Sequence, residues 1–342
     1  MLPRDHCTPL ALRSLVALAV FAGGSAAHGQ AARPPINNSR HTQLHTDTLW
    51  SQSLGIRKAL TVYLPPSYAS SPARRYPVLV YLHGLTGNER NWAEQGRLGQ
   101  TFDSLARAGK PEAIVVMPDG DDGWYTTWNQ LNDMAACRAD TARKERADTY
   151  CVPWPHYDEY IARDIVTHVD RHYRTRATRA SRAIAGLSMG GYGAIALALA
   201  YPDVFGAAAS HSGVLSPRYL GPKPFAPPPT YAVDSIGLRT SAGWLWKWMA
   251  PAFGRDSIGW VARDPGRMAT RARNRARRIP ALMLDCGADD PFIDQNRDFH
   301  NTLTRLGIVH RYAEWPGKHD WDYWRTHAAE SATFLLEHTR AR

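Results

Sequence analysis

The sequence predicts an α/β fold: a mainly parallel, doubly wound sheet with helices on both faces. Three observations predict it. Short, continuous apolar runs recur along the chain, as strands buried on both faces require. Between them lie stretches with apolar positions at helical spacing, so strand and helix alternate. Each run stops at a polar loop rich in Gly or Pro, and such sheets bind ligands beyond the carboxyl ends of their strands.

Residues 1–29 read as a cleaved secretory signal. Arg4 and Arg13 give a positive start, Leu15–Ala22 (LVALAVFA) is an apolar core too short to cross a bilayer, and small residues follow. Residues 30–45, with Pro34-Pro35, read as a linker, and 46–342 as a single domain. No later segment reaches spanning length, so the expected location is the periplasm or the outside of the cell, with no membrane insertion.

Leu60–Leu64 (LTVYL) alternates and is stopped by Pro65-Pro66, as a strand is. Tyr76–Leu82 (YPVLVYL), Ala113–Met117 (AIVVM), Ala183–Gly186 and Ala281–Asp285 (ALMLD) are the buried strands, and Val309–Trp315 is the last. Helices are expected over Tyr157–His172, where Tyr160, Ile161, Ile165, Val166 and Val169 share a face, and over Gly190–Tyr201, Asn296–Leu306 and Trp321–Glu337. Two insertions interrupt the alternation. One, about 134–153, is polar and bracketed by Cys137 and Cys151, which an oxidising compartment would join as a disulfide. The other, 214–279, is rich in Pro, Arg and Trp and reads as a cap over the site. Cys286 lies in an apolar run and reads as a buried small hydrophobe.

The formal charge is +10, and five of the eight residues in Arg271–Arg278 are Arg. Nucleic acid is nevertheless not the expected partner. No binding motif accompanies the charge, and the imbalance of 35 Arg to 6 Lys is a bias of the whole chain. A general attraction to anionic polymers fits better. Asp119-Gly-Asp121-Asp122-Gly reads as a turn, because a calcium loop needs a downstream bidentate Glu. His168 and His172, four apart on a helix, lack a third zinc ligand. No phosphate-binding Gly loop is present, so no metal or cofactor is expected.

The chemistry concentrates at Ser188, in Gly186-Leu187-Ser188-Met189-Gly190. A Ser hydroxyl attacks a carbonyl when it is exposed beside a base. A sharp strand-to-helix turn exposes it, and flanking glycines permit that turn. Ser188 stands between an apolar run and an Ala-rich helix, which is that context; otherwise it is only a helix cap. An acid and then a His should follow on later strands. Asp290 is the preferred acid with Asp289 second, while Asp285 falls inside the strand and reads as structural. His319 sits between the last strand and the last helix, where a base belongs, ahead of His310, His211 and His327. The oxyanion donors expected are the backbone N–H of Met189 and that of Leu85, in the loop after His83-Gly84.

With these pieces the chain resembles the esterase D family of α/β-hydrolases, which includes feruloyl and acetyl-xylan esterases, S-formylglutathione hydrolases and mycolyltransferases. The matching motifs are LHGLTGNERNW (82–92), MPDGDDGWYTTW (117–128), AGLSMGGYGA (185–194), CGADDPFIDQN (286–296) and PGKHDWDYW (316–324), in family order. The resemblance implies an α/β-hydrolase fold and a metal-independent serine esterase with Ser188, Asp290 and His319 as its triad. It supports Asp290 over Asp289 and puts Trp124 and Tyr125 near the active-site mouth. It implies a small acyl, acetyl or feruloyl ester as substrate, free or on a polysaccharide. An acyltransferase using the same triad and an inactive carbohydrate-binding homologue are the alternatives. The oligomeric state stays open.

Overall fold

Among the described residues, ten strands set the order of the chain: β1 (Gln43–Ser51), β2 (Ile56–Leu64), β3 (Val78–Leu82), β4 (Ile114–Pro118), β5 (Arg182–Leu187), β6 (Ala207–His211), β7 (Tyr219–Gly221), β8 (Thr230–Tyr231), β9 (Ala281–Gly287) and β10 (His310–Trp315). They belong to a computed structural model that describes residues 43–140, 146–153 and 155–339. The signal segment and most of the linker lie outside the described residues. Eight strands make one sheet in the order β1-β2-β4-β3-β5-β6-β9-β10. β1 and β2 are antiparallel to their neighbours, and from β4 to β10 every pair is parallel. The sheet is therefore mainly parallel, as the apolar runs predict.

Alternate residues along each central strand enter opposite cores. Val78, Val80, Leu82, Ile184 and Leu284 face one side, and Leu79, Tyr81, Ala183, Ala185 and Met283 the other. Five longer helices cover the sheet: α1 (Leu98–Arg107), α2 (Met189–Ala200), α3 (Pro265–Asn274), α4 (Ile293–Arg305) and α5 (Trp321–His338). The second face carries α1 and α5, through Leu98, Phe102, Tyr323, Phe334 and Leu335. The first carries α2, α3, α4 and the helical residues 157–172, a π-helical turn at Tyr160–Ile165 included. Central α2 is apolar all round, as a helix buried on every side must be.

Three boundaries differ from the sequence reading. β1 begins at Gln43, inside the segment read as linker, and pairs with β2 along its whole length. β6 was not expected at all. Its sequence AAASH has no β-branched residue and no Phe, Tyr or Trp, and its strand conformation comes from burial between β5 and β9. The 214–279 segment holds the β7–β8 ribbon and the helices Ser235–Ala242, Trp246–Phe253 and Ser257–Arg263, but its last part is α3. That helix packs on α2 and is a regular layer of the fold. In the shorter insertion Cys137 and Cys151 are joined as a disulfide, and Cys286 is free and buried.

Candidate active site

Ser188 follows β5 directly and precedes α2, with φ 54° and ψ −116°. This is a conformation that a side chain other than Gly's adopts at a cost of roughly 1–3 kcal/mol. The turn is held by two backbone hydrogen bonds: Ser188 N–H donates to the His211 carbonyl at 2.9 Å, and the Ser188 carbonyl accepts from Tyr192 N–H at 3.0 Å. The flanking glycines make it sterically feasible. A Cβ on Gly186 would lie 2.3 Å from the Gly190 carbonyl oxygen, and one on Gly190 would lie 2.4 Å from that of Leu82. The side chain is only partly buried, so its hydroxyl faces out at the carboxyl end of the sheet.

Two later loops converge on that hydroxyl. His319, between β10 and α5, has Nε2 2.9 Å from Ser188 Oγ. Its Nδ1 lies 2.8 Å from Asp290 Oδ2, in the loop between β9 and α4. Asp290 is buried, and its other oxygen accepts the Phe292 N–H at 2.8 Å, which fixes the carboxylate plane. Edge-on contacts with Phe292 and Trp324, at 5.0 and 4.9 Å, hold the imidazole. The three residues singled out in the sequence are thus brought together in one relay. Asp289 is exposed; only its backbone N–H is engaged, with the Gly317 carbonyl. His310 bonds to His300 and His327 stacks on Trp315, both away from Ser188.

Leu85 lies in the turn after β3, and the residue before it touches the serine turn. A Cβ on Gly84 would meet Leu187 Cδ1 at 2.7 Å and Ser188 Cβ at 3.5 Å. His83 shapes this turn. Its Nε2 accepts the Gly120 N–H at 2.9 Å and its Nδ1 lies 2.7 Å from the Gly84 carbonyl, a pattern a neutral ring satisfies. Thr86, at φ 61°, donates its N–H to Asp122 Oδ1 at 2.6 Å.

Trp124 and Tyr125, expected at the mouth, require a correction. They are 0% and 1% exposed. Trp124 packs edge-on against Tyr192 and Phe253. Tyr125 donates its hydroxyl to the His83 carbonyl at 3.0 Å, and burial pushes its phenol well above the ordinary range, so it stays protonated. Neither ring offers a face to a substrate, because both are needed to fill the space beneath the 119–125 loop. The Asp119-Gly-Asp121 turn has a partner that the sequence did not suggest. Lys58 Nζ, fully buried on β2, lies 3.0 Å from Asp119 and 2.8 Å from Asp121, and donates to the Thr149 carbonyl at 2.9 Å. The only sequence signal for this is a Lys just ahead of the alternating run Leu60–Leu64.

The geometry sets a serine hydroxyl within hydrogen-bond reach of an imidazole that is itself paired with a buried carboxylate, an arrangement able to activate a nucleophile. A model of the family described as Putative esterase matches residues 51–334. The chain belongs to that family. An esterase from Mycobacterium tuberculosis is 28% identical over 315 residues, which cover 88% of this chain and 60% of that one. The chain thus spans about 60% of that curated relative's length. An acetyl esterase of Caldicellulosiruptor saccharolyticus is 25% identical over 260 residues, 75% of this chain and 82% of that one. Among solved structures, a ferulic acid esterase superposes with a TM-score of 0.64 at 25% identity, covering 87% of this family member and 98% of its own chain. Among the described residues, no helix is long and apolar enough to cross a membrane, and no group of three or more His, Cys, Asp or Glu could hold a metal ion.

Proposed function

We propose that this chain is a serine ester hydrolase in which Ser188 is the nucleophile, His319 the general base and Asp290 its orienting partner. The observation that carries the proposal is the unbroken Ser188–His319–Asp290 relay, at 2.9 and 2.8 Å, on a serine held in a strained turn. His319 Nε2 takes the hydroxyl proton as Oγ attacks the ester carbonyl carbon. The oxyanion that forms is met by the N–H groups of Met189 and Leu85. Collapse breaks the bond to the alcohol oxygen, which takes the proton back from His319 and leaves. Water, deprotonated by the same ring, then attacks the acyl-enzyme, and as the acyl–Oγ bond breaks His319 returns that proton to Ser188 Oγ, freeing the acid and the serine.

The substrate class proposed is a small acyl, acetyl or feruloyl ester, free or on a carbohydrate, met outside the cytoplasm. Relatives named as acetyl and ferulic acid esterases support the acyl part, and the Leu15–Ala22 signal core supports the location. Turnover of p-nitrophenyl acyl esters and methyl hydroxycinnamates tests the reading, with Ser188→Ala alongside. Wild type should hydrolyse at least one ester series, with the variant at least about 10³-fold slower. A variant that keeps wild-type rates ends the proposal.

A further inference from the structure

We infer that His211 and Asp285, buried behind the triad, are positioning residues that hold the Ser188 turn and the His319 loop in register with each other. The inference rests on the triad reading above. Neither side chain belongs to the relay, and both are completely buried, where a polar group is costly unless it is partnered.

The connections run through named atoms. His211 ends β6 and stands in register with Leu187 on one side and Asp285 on the other. Its carbonyl accepts the Ser188 N–H at 2.9 Å. Its Nδ1 lies 2.8 Å from Asp285 Oδ2 and 3.0 Å from Oδ1, and its Nε2 lies 2.8 Å from Ser331 Oγ on α5. Asp285 Oδ1 also accepts the Tyr323 hydroxyl at 3.1 Å, and its carbonyl accepts the Ser212 N–H at 2.8 Å. Tyr323 is the wall of the His319 loop. A Cβ on Gly317 would lie 2.6 Å from the Tyr323 ring, and Asp320 caps α5 by accepting the Tyr323 N–H at 3.0 Å. One carboxylate is therefore tied to the nucleophile's turn through His211 and to the base's loop through Tyr323. It sits on β9, the strand that leads to Asp290. A strained residue such as Ser188 persists only where its surroundings over-determine it. The His211 carbonyl is one such restraint, and its ring is clamped at both nitrogens.

The test compares wild type, Asp285→Asn, Tyr323→Phe, the double variant and Ser331→Ala. For each, kcat and KM are measured on the best ester of the panel, with the rate and final extent of Ser188 labelling by a fluorophosphonate. Asp285→Asn should label to the wild-type extent, so the protein is folded. Its labelling rate and kcat should fall about 10–100-fold with KM within about threefold, since a displaced relay loses transition-state stabilisation and not binding. Tyr323→Phe should lose about 3–10-fold, and the double variant should be within about 1.5-fold of Asp285→Asn, because the two act through one group. Should Asp285→Asn not fold, Tyr323→Phe and Ser331→Ala leave the carboxylate in place and carry the same readout at about 3–10-fold. The inference is overturned if the folded variants keep kcat within about twofold, if their losses match a loss of labelled protein, or if the Asp285 and Tyr323 losses multiply. An active Ser188→Ala protein overturns the triad reading instead, whatever Asp285→Asn does.

Discussion

Asp290 and Asp289 are adjacent carboxylates with opposite surroundings, and the difference makes a residue-scale prediction. Asp290 is buried with one oxygen on His319 Nδ1 and the other on the Phe292 N–H; Asp289 is exposed. An Asn at 290 would keep the size but could present its amide to the ring and favour the wrong imidazole tautomer. Asp290→Asn should therefore lower kcat by about 10³–10⁴-fold, and Asp289→Asn by less than about threefold. Equal losses in the two variants, read from initial rates on one chromogenic ester, would contradict the assignment. Ser188 and Asp290 were read from the apolar runs of β5 and β9 that precede them, and His319 from its place between the last strand and the last helix, since β10 itself, HRYAEW, is largely polar. The acid was the least certain, since adjacent carboxylates differ only in burial. Burial also explains the failure at Trp124 and Tyr125, which sequence alone cannot separate from aromatic residues on a rim.

At the scale of elements, the loop after β4 is fastened to β2 and to the disulfide-closed insertion by one buried cation. Burial alone would raise the Asp119 carboxyl, but the Lys58 ammonium outweighs it and holds Asp119 well below the usual carboxylate range. A carboxylate lowered in the folded state stabilises the protein above its ordinary value near 3.8, and that stability is lost as pH falls through the lowered value. Asp119→Asn should therefore cost about 3 kcal/mol at pH 7. The gap to wild type should narrow steadily as the pH drops below about 4. Urea unfolding of both proteins at a series of pH values checks this, and a gap that is the same at pH 7 and pH 3 refutes the role given to Lys58. The elements themselves were unequally legible. β3, β4, β5 and β9 carry Val, Ile or Leu in their runs, whereas β6, AAASH, has none and its strand conformation is dictated by its neighbours. β1 has exposed polar positions along its length, as an edge strand does, and so it merged with the linker. The crossover helix α3 was hidden because its Arg-rich sequence continues that of the insertion before it.

For the molecule as a whole, charge is the property that no single site accounts for. The chain carries 41 Lys and Arg against 31 Asp and Glu. An excess of this size sets up a long-range positive potential that draws in polyanions and raises their encounter rate. Salt shortens its reach: the Debye length is about 10 Å at 0.1 M and about 3 Å at 1 M. The relay is different, because its partners lie within 3 Å of one another and bulk ions do not screen them. Two substrates separate the effects under the esterase reading. The rate on an acetylated anionic polysaccharide such as pectin, at concentrations below KM, should fall about tenfold between 0.05 and 0.5 M NaCl as steering is screened. The rate on p-nitrophenyl acetate, which is neutral, should change by less than about twofold over the same range. Parallel salt curves for the two would mean that salt acts on the relay or on the fold, and the whole-molecule field would then have no part in choosing the substrate. Divergent curves would make the positive surface a selector of the polymer, acting before the ester reaches Ser188 and independently of which acyl group the pocket accepts.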